Sequence, residues 1–418
     1  MLSHSLKQLS IFLVIIALAF TSIFAAQLSK RKAPEIKKIA NNEVSYQDWN
    51  NFAFDIFHSI DSSHSKENIC ISPLSISMTL GMVLNGARET TARQIEKTLS
   101  IEKEQKNTFN KMVKHYMDSL SQKDKEVQFE IGNSMWIKES FPIQDSFLEI
   151  NKKYYDARIE NMDFSESVAA EKINHWVRQS TKNKIQKIVE GPLDAQTIMF
   201  LINAIYFKAR WAEQFDPQKT RPDTFYTYDG NPEKCSLMQT KEEFDYYSAP
   251  EGQIIKLSYG NKNFSMIIIL PDKNLSIRAL SKSLSKNKWE NLISNLNKQE
   301  VKLFLPKFKM EYEINLNDVL KSMGMPAAFD PDLSDFSDIN EQLGKQLFID
   351  ELLHKSYLEV DEKGTEAAAV TSARMKVTAA YPREKPVVMR IDRPFLFAIR
   401  DCKTKTLLFL GKIFRLEE

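Results

Sequence analysis

The side chains best suited to catalysis or metal binding are few and widely spaced in this chain. Six histidines lie at positions 4, 58, 64, 115, 175 and 354, and the three cysteines are Cys70, Cys235 and Cys402. No histidine pair has the H-E-x-x-H spacing of zinc proteases, and the cysteines are too scattered for a zinc site. None of the eleven glycines lies within four residues of another, which excludes the dinucleotide loop G-x-G-x-x-G and the nucleophile elbow G-x-S-x-G. The sequence therefore indicates no metal, no cofactor and no catalytic centre, and an enzyme would need a triad assembled from distant residues.

One segment near the C-terminus, from Gly364 to Lys376, alternates between two kinds of side chain. The uncharged and mostly small set is Thr365, Ala367, Ala369, Thr371, Ala373 and Met375, and the set that carries every charge is Glu366, Ala368, Val370, Ser372, Arg374 and Lys376. Such alternation is typical of a β-strand with one face on a core and the other in solvent. A plain alanine-rich loop or helical turn is the alternative interpretation. The segment belongs to about 20 residues almost without large apolar side chains, and loops of that length inside a domain are usually functional or disordered.

Periodic patterns predict the elements that would position this segment. Apolar residues at helical spacing from Trp49 to Ile60 and from Ala169 to Val177 predict two helices. Ser72 and Pro73 are a natural cap and first turn for a third, buried helix. The nearly continuous apolar run from Thr197 to Phe207 predicts a central strand covered on both faces. Shorter strand-like runs lie at 264–270, 301–305, 357–360, 387–389, 395–399 and 407–410. Without repeats or low-complexity linkers, these patterns predict one large α+β domain.

The first 26 residues differ from the rest of the chain. An apolar stretch from Ile11 to Phe20 follows a basic residue and leads to small residues ending at Ala26, which is the layout of a secretory signal peptide. We therefore expect a leader at 1–26 and a single domain at 27–418. An uncleaved membrane anchor is the alternative, because three basic residues begin at Lys30.

Composition limits the partners. Lysine and arginine total 57 against 55 aspartate and glutamate, and the net charge of +2 gives no field that would attract nucleic acid. Three cysteines allow at most one disulfide. The fold must therefore be stabilised mainly by its hydrophobic core, and a chain of this length can bury a core large enough. We expect a monomer without stable membrane association. With a cleaved leader it would be secreted, or periplasmic if the source is a Gram-negative bacterium.

Several motifs occur in a fixed order after the leader. They are Asn68-Ile-Cys-Ile-Ser-Pro-Leu-Ser-Ile76 with Gly86-Ala87, Asn203-Ala-Ile-Tyr-Phe-Lys208 with Trp211, Phe215 and Thr220, Leu305-Pro-Lys-Phe308, Leu320-Lys-Ser-Met-Gly-Met325 and Asp392-Arg-Pro-Phe-Leu-Phe397. Together they resemble the serpin family of serine protease inhibitors, over nearly the whole chain after the leader. The segment Glu362-Lys-Gly-Thr-Glu-Ala-Ala-Ala-Val-Thr371 is similar to the hinge of the inhibitory members.

The resemblance implies a fold of three β-sheets with eight or nine helices and an exposed reactive-centre loop at about residues 362–385. It also implies a mechanism in which a protease attacks the loop and forms an acyl-enzyme, and the cut loop inserts into the large sheet before the ester is hydrolysed. Thr365 is then expected to be the first side chain buried when the sheet opens. The implied hinge residues are Glu362, Gly364, Thr365, Glu366, Ala367, Ala368, Ala369, Val370 and Thr371.

The scissile bond follows from family spacing. Counting from Gly364 gives Thr378 and Ala379, and a small residue at the cut favours an elastase-like or subtilisin-like serine protease as target. Arg374, Lys376 and Arg383 are the alternates, and each would suit a trypsin-like enzyme.

A second implied site is the sheet-opening region. It comprises Ser72, Ser75, Asn203 and His354 together with Trp211, and its polar groups could form a hydrogen-bonded latch beneath the large sheet. The competing functions are a hydrolase, which lacks a nucleophile motif, and a non-inhibitory serpin acting as a carrier or chaperone. Such carriers depart from the small-residue hinge, whereas here Val370 is the one mild departure.

Overall fold

The computed structural model describes residues 48–102, 105–124, 126–365 and 385–416. Within them lie nine α-helices: α1 Asp48–Ser63, α2 Pro73–Leu84, α3 Glu89–Thr98, α4 Lys106–Lys123, α5 Asp145–Tyr155, α6 Ala169–Ser180, α7 Ile277–Ser283, α8 Lys286–Ser294 and α9 Asn317–Ser322. Fifteen strands occur in the same residues: β1 Ile69–Ile71, β2 Val127–Lys138, β3 Arg158–Met162, β4 Met199–Arg210, β5 Arg221–Tyr226, β6 Pro232–Ala249, β7 Gly252–Tyr259, β8 Phe264–Pro271, β9 Asn297–Pro306, β10 Phe308–Asn315, β11 Glu351–Val360, β12 Gly364–Thr365, β13 Val387–Arg390, β14 Phe395–Asp401 and β15 Leu407–Ile413. All described residues belong to one compact unit.

The helix α2 forms where its sequence predicts and is buried on every side. Ser72 caps it, since its Oγ accepts a hydrogen bond of 3.3 Å from the Ser75 amide, and Pro73 occupies the first turn. All twelve residues of α2 are buried, because the helix packs against β2 and β4 on one side and β15 on another. It therefore supports the strand that bears Asn203 from beneath.

The strands form two hydrogen-bonded sheets in the described part of the chain. One has the order β1-β15-β14-β8-β7-β6-β9-β13, with β5 added beside β6, and the other has the order β10-β11-β12-β4-β2-β3. The family resemblance implied three sheets, whereas the described strands form two. The 18-residue strand β6 pairs with β5 through its first residues and with β7 through its last, so two of the expected sheets are continuous. The α+β class is confirmed.

The strand β4 is covered on both faces, as its apolar run predicts. Leu201, Ile205 and Phe207 point into the main core, while Ile202 and Tyr206 belong to a second apolar cluster beneath α6. Alternate side chains of a strand point to opposite faces. Any strand that inserted beside β4 would therefore meet packed surroundings on its inner face.

Candidate functional site

The centre of the six-stranded sheet contains a parallel pairing that is open at one end. From Phe200 to Tyr206, β4 pairs in parallel with β11 from Glu351 to Tyr357; we call this pairing the seam. Beyond the two tyrosines the strands separate, and β12, the hinge strand, lies between them. The sheet therefore already holds the first two residues of an additional strand.

The hinge strand pairs antiparallel with both neighbours. Thr365 lies opposite Val360 of β11 and Ala209 of β4, and Gly364 lies opposite Arg210. Gly364 has φ 151°, and a Cβ there would collide with the Ala209 carbonyl oxygen, so only glycine fits without strain.

Thr365 is fully buried while β4 and β11 are still paired along the seam, which corrects the expectation that its burial waits for the sheet to open. Its Oγ1 lies 2.7 Å from the Tyr259 hydroxyl of β7, a hydrogen-bond distance. The Tyr259 ring stacks on Trp211 with centroids 4.4 Å apart. The nine-stranded sheet thus provides the partner that holds the hinge strand in place.

The residues 211–215 that follow β4 hold the backbone leading to the hinge strand; we call them the holding segment. The Trp211 amide donates to the Lys363 carbonyl at 2.9 Å and the Phe215 amide donates to the Glu362 carbonyl at 2.9 Å. The Trp211 indole Nε1 donates to the Asp361 carbonyl at 2.9 Å. Successive carbonyls of the turn after β11 are therefore bonded to the segment after β4.

Glu362 is fixed by its side chain as well. Its carboxylate accepts a hydrogen bond of 2.8 Å from the Thr220 hydroxyl and lies 3.0 Å from the Lys307 ammonium. Burial alone would raise the pKa of Glu362, but the bonds from Thr220 and Lys307 outweigh it and lower the pKa. The carboxylate is therefore charged at neutral pH and anchors the approach to the hinge strand.

Four predicted residues meet beneath the seam in one buried group, which we call the polar cluster: Ser72, Ser75, Asn203 and His354. His354 Nδ1 lies 2.6 Å from Asn203 Oδ1, across the seam. His354 Nε2 accepts from the Ser72 amide at 3.3 Å, and Asn203 Nδ2 donates to the Ser75 hydroxyl. Both sides of the seam are thus bonded to the start of α2 as well as to each other.

The polar cluster requires a neutral histidine of defined tautomer. The Ser72 amide can only donate, so His354 Nε2 accepts and Nδ1 carries the proton that it donates to Asn203. Complete burial lowers the pKa of His354 to about 3. Protonation of Nε2 would place two donors face to face at Ser72.

Two further members of this network were not predicted from the sequence. Asn133 of β2 lies opposite Asn203 and its Oδ1 accepts from Asn203 Nδ2 at 2.7 Å. The Thr79 hydroxyl of α2 donates to the same oxygen at 2.8 Å. Polar residues at buried positions of the two elements were the only signal in the sequence, and that signal does not identify a partner.

Trp211, the fifth residue of the predicted sheet-opening region, does not join the polar cluster. It follows the end of β4, eight residues beyond Asn203, or roughly 26 Å along an extended strand. Instead it bonds the carbonyls of Asp361 and Lys363, just before the hinge strand, and stacks on Tyr259.

The remaining predicted site residues lie outside the described residues. They are Glu366, Ala367, Ala368, Ala369, Val370 and Thr371 of the hinge, together with Thr378, Ala379, Arg374, Lys376 and Arg383 of the candidate scissile bonds.

The described ranges offer little other site chemistry. No group of three or more histidine, cysteine, aspartate or glutamate side chains is arranged there to hold a metal ion. Over the same part of the chain no helix combines the length and apolar character needed to cross a bilayer. Cys70 is a buried member of the core, as its apolar surroundings predict, and none of the three cysteines forms a disulfide with another described residue.

Comparison with known proteins agrees with the resemblance seen in the sequence. The family model described as serpin (serine protease inhibitor) matches residues 47–416. Human neuroserpin is 32% identical over 372 residues, which is 86% of this chain and 88% of that protein. The crystal structure of the thermophilic serpin tengpin in the native state has a TM-score of 0.81 at 36% identity, covering 89% of this chain and 94% of that one. Human thyroxine-binding globulin has a TM-score of 0.81 at 30% identity, covering 89% and 98%.

Proposed function

Because the chain belongs to the serpin family, we propose that it inhibits serine proteases as a single-use trap. A protease attacks the reactive-centre loop and forms an acyl-enzyme, and the cut loop then inserts along the seam before the ester is hydrolysed. The observation that carries the proposal is the hinge strand, which already lies between β4 and β11. Insertion would extend a strand whose first two residues are in place.

The register of the hinge strand assigns a position to each inserted residue. Thr365 pairs with Val360 and Ala209, so each step beyond Thr365 moves one step back along both neighbours. Thr371, six residues on, would lie opposite His354 and Asn203, which are six residues back. It would share the inner face with Thr365, since six is an even number of steps. Its hydroxyl would then replace one side of the hydrogen bond that insertion breaks.

The same register favours the charged positions of the loop on the outer face. Glu366 would lie between Lys208 of β4 and Glu359 of β11, and Arg374 would lie between Phe200 of β4 and Glu351 of β11. Opposite charges at paired positions stabilise a sheet by several tenths of a kcal/mol, about 0.2 to 1. Neither charge would enter the inner face that carries Thr365.

A change in strand pairing would favour insertion of the loop. Insertion replaces one parallel pairing along the seam by two antiparallel ones, and parallel pairing is slightly less stable per residue. An extended strand from Gly364 to Thr378 spans roughly 46 Å, so an attached protease would move a distance comparable with its own diameter. Such a displacement would deform its active site.

The target proposed from the residue at the cut is an elastase-like or subtilisin-like serine protease, and a trypsin-like enzyme is the alternate. The test is incubation with one member of each class, followed by a denaturing gel. A covalent band of inhibitor plus protease is expected with at least one. Cleavage without that band in every case would overturn the proposal in favour of a carrier, the role named for thyroxine-binding globulin. Turnover of small esters would indicate a hydrolase.

We further propose that residues 1–26 are a leader and that 27–418 is a single exported domain acting as a monomer. The support is the short apolar run and the small residues before Gln27. N-terminal sequencing of secreted material should begin near Gln27. Recovery of the full-length chain only in membranes would contradict export by a cleaved leader.

A further inference from the structure

A pocket borders the holding segment on the nine-stranded sheet. It has a volume of about 110 Å³, and its apolar wall consists of Trp211, Phe215, Phe244 and Leu257. Cavities of about 150 Å³ enclose one benzene ring, so this smaller pocket would take part of a single aromatic ring and leave the rest of the ring and its substituents at the mouth. The side chains of its wall favour a flat apolar group.

The mouth of the pocket carries charges of both signs. Asp245 is satisfied by two lysines of the rim, Lys256 at 3.1 Å and Lys298 at 3.2 Å. Glu243 and Lys262 are exposed at the same rim, and neither forms an ion pair with any other residue that the structure describes. Glu213 is a further acid of the rim. One acid and one base are therefore available to a ligand.

We propose that this pocket binds a free aromatic α-amino acid. The ring would pack against Trp211 and Phe244, the ammonium group would face Glu243, and the carboxylate would face Lys262. A ligand with one charge alone would satisfy one side of the rim and meet a like charge on the other. A zwitterion satisfies both, which is the basis of the selectivity.

Binding there would act on the hinge strand, an effect that depends on the proposed inhibitory function. The Ala212 amide of the holding segment donates to the Ser258 carbonyl of β7 at 2.8 Å, so the pocket wall is bonded to the nine-stranded sheet. The holding segment continues β4, whereas the carbonyls it binds at Glu362 and Lys363 follow β11. Separation of β4 from β11 must strain these bonds. A ligand that packs on the present arrangement therefore opposes insertion.

The binding test uses four ligands with the same ring: L-phenylalanine, phenylacetate, phenethylamine and benzyl alcohol. Isothermal titration calorimetry of the full protein should give L-phenylalanine an affinity at least tenfold higher than the other three. Equal affinity for all four ligands, or no saturable binding of L-phenylalanine, would overturn the proposal.

Variants of the rim locate the site. Glu243→Ala and Lys262→Ala should each weaken L-phenylalanine binding at least fivefold, and Lys273→Ala, on an exposed turn outside the pocket, should not. If the two rim variants bind like the wild type, the ligand binds elsewhere and the assignment is wrong.

The regulatory effect is measured with a protease that the protein traps. Saturating L-phenylalanine should shift the products at least threefold from covalent complex towards cleaved inhibitor. An unchanged ratio would refute the link to the hinge strand. If no covalent complex forms even without ligand, the inhibitory function fails, and calorimetry still decides whether the pocket binds the amino acid.

Discussion

The hydroxyl groups of Tyr259 and Thr365 lie 2.7 Å apart and join the two sheets at the point where the hinge strand begins. Thr365 belongs to the six-stranded sheet and Tyr259 to the nine-stranded one. Both side chains are fully buried, so neither hydroxyl has water as an alternative partner. This contact ties the hinge strand to the nine-stranded sheet.

A double-mutant cycle should measure the strength of this contact. Tyr259→Phe and Thr365→Val each remove one hydroxyl, and together they should show a coupling of about 1 kcal/mol in the free energy of unfolding. Denaturant unfolding of the four proteins gives this value. As the matched control, Tyr246→Phe removes a hydroxyl that bonds Gln253 instead, and it should not couple to Thr365→Val. Equal coupling in both cycles would mean that Thr365 has no specific partner.

Thr365→Arg should convert the protein from an inhibitor to a substrate. An arginine cannot occupy this fully buried position without a counter-ion, which costs several kcal/mol or more, so the hinge strand would leave the sheet and further insertion would be slowed. The loop should be cut at the same bond and at a similar initial rate, with release of active protease. Residual protease activity and a denaturing gel measure the outcome.

The matched control is Glu366→Arg, which places the same charge on the face that alternation assigns to solvent. This variant should still form the covalent complex. If both variants trap protease equally well, the two-faced interpretation of the loop is wrong.

Stability should fall as the pH is lowered below about 6.5, partly because of His354. The folded state holds the pKa of His354 at about 3, below its ordinary value of 6.5, so in this window the unfolded chain binds a proton that the folded protein does not. The contribution of His354 is therefore fully present above pH 6.5 and is lost at about 1.4 kcal/mol per pH unit as the pH falls towards 3. His354→Gln should reduce this slope, measured by denaturant unfolding between pH 7.5 and 4.5. The control is His115→Gln, at an exposed position of α4, and a slope reduced equally by both variants would contradict the assignment.

Cleavage is expected between Thr378 and Ala379. Mass spectrometry of the C-terminal peptide released on reaction should therefore find Ala379 at its N-terminus, with an elastase-like or subtilisin-like protease. A peptide that begins after Arg374, Lys376 or Arg383 would change both the bond and the target class.

Local patterns were sufficient for the elements that carry the site. The apolar run at 197–207 predicted β4 within a few residues of its bounds at Met199–Arg210, because a strand covered on both faces needs no polar alternation. The Ser72 cap and Pro73 predicted the start of α2 for an equally local reason. Motifs in register then identified the family, and the residues of the hinge follow from it as a prediction.

The state of the hinge strand could be decided only by the tertiary structure. The burial of Thr365 depends on Tyr259, which is 106 residues away. It also depends on the separation of β4 from β11, whose paired residues are 151 positions apart in the chain. The bonds of Asn133 to Asn203 and to Thr79 are likewise invisible to periodicity, because a buried polar residue does not specify its partner. The sequence by itself determined which residues can enter a strand and which face each would take. Only the folded chain decided that Thr365 is already buried between two strands, since its burial is set by contacts between elements that the sequence keeps far apart.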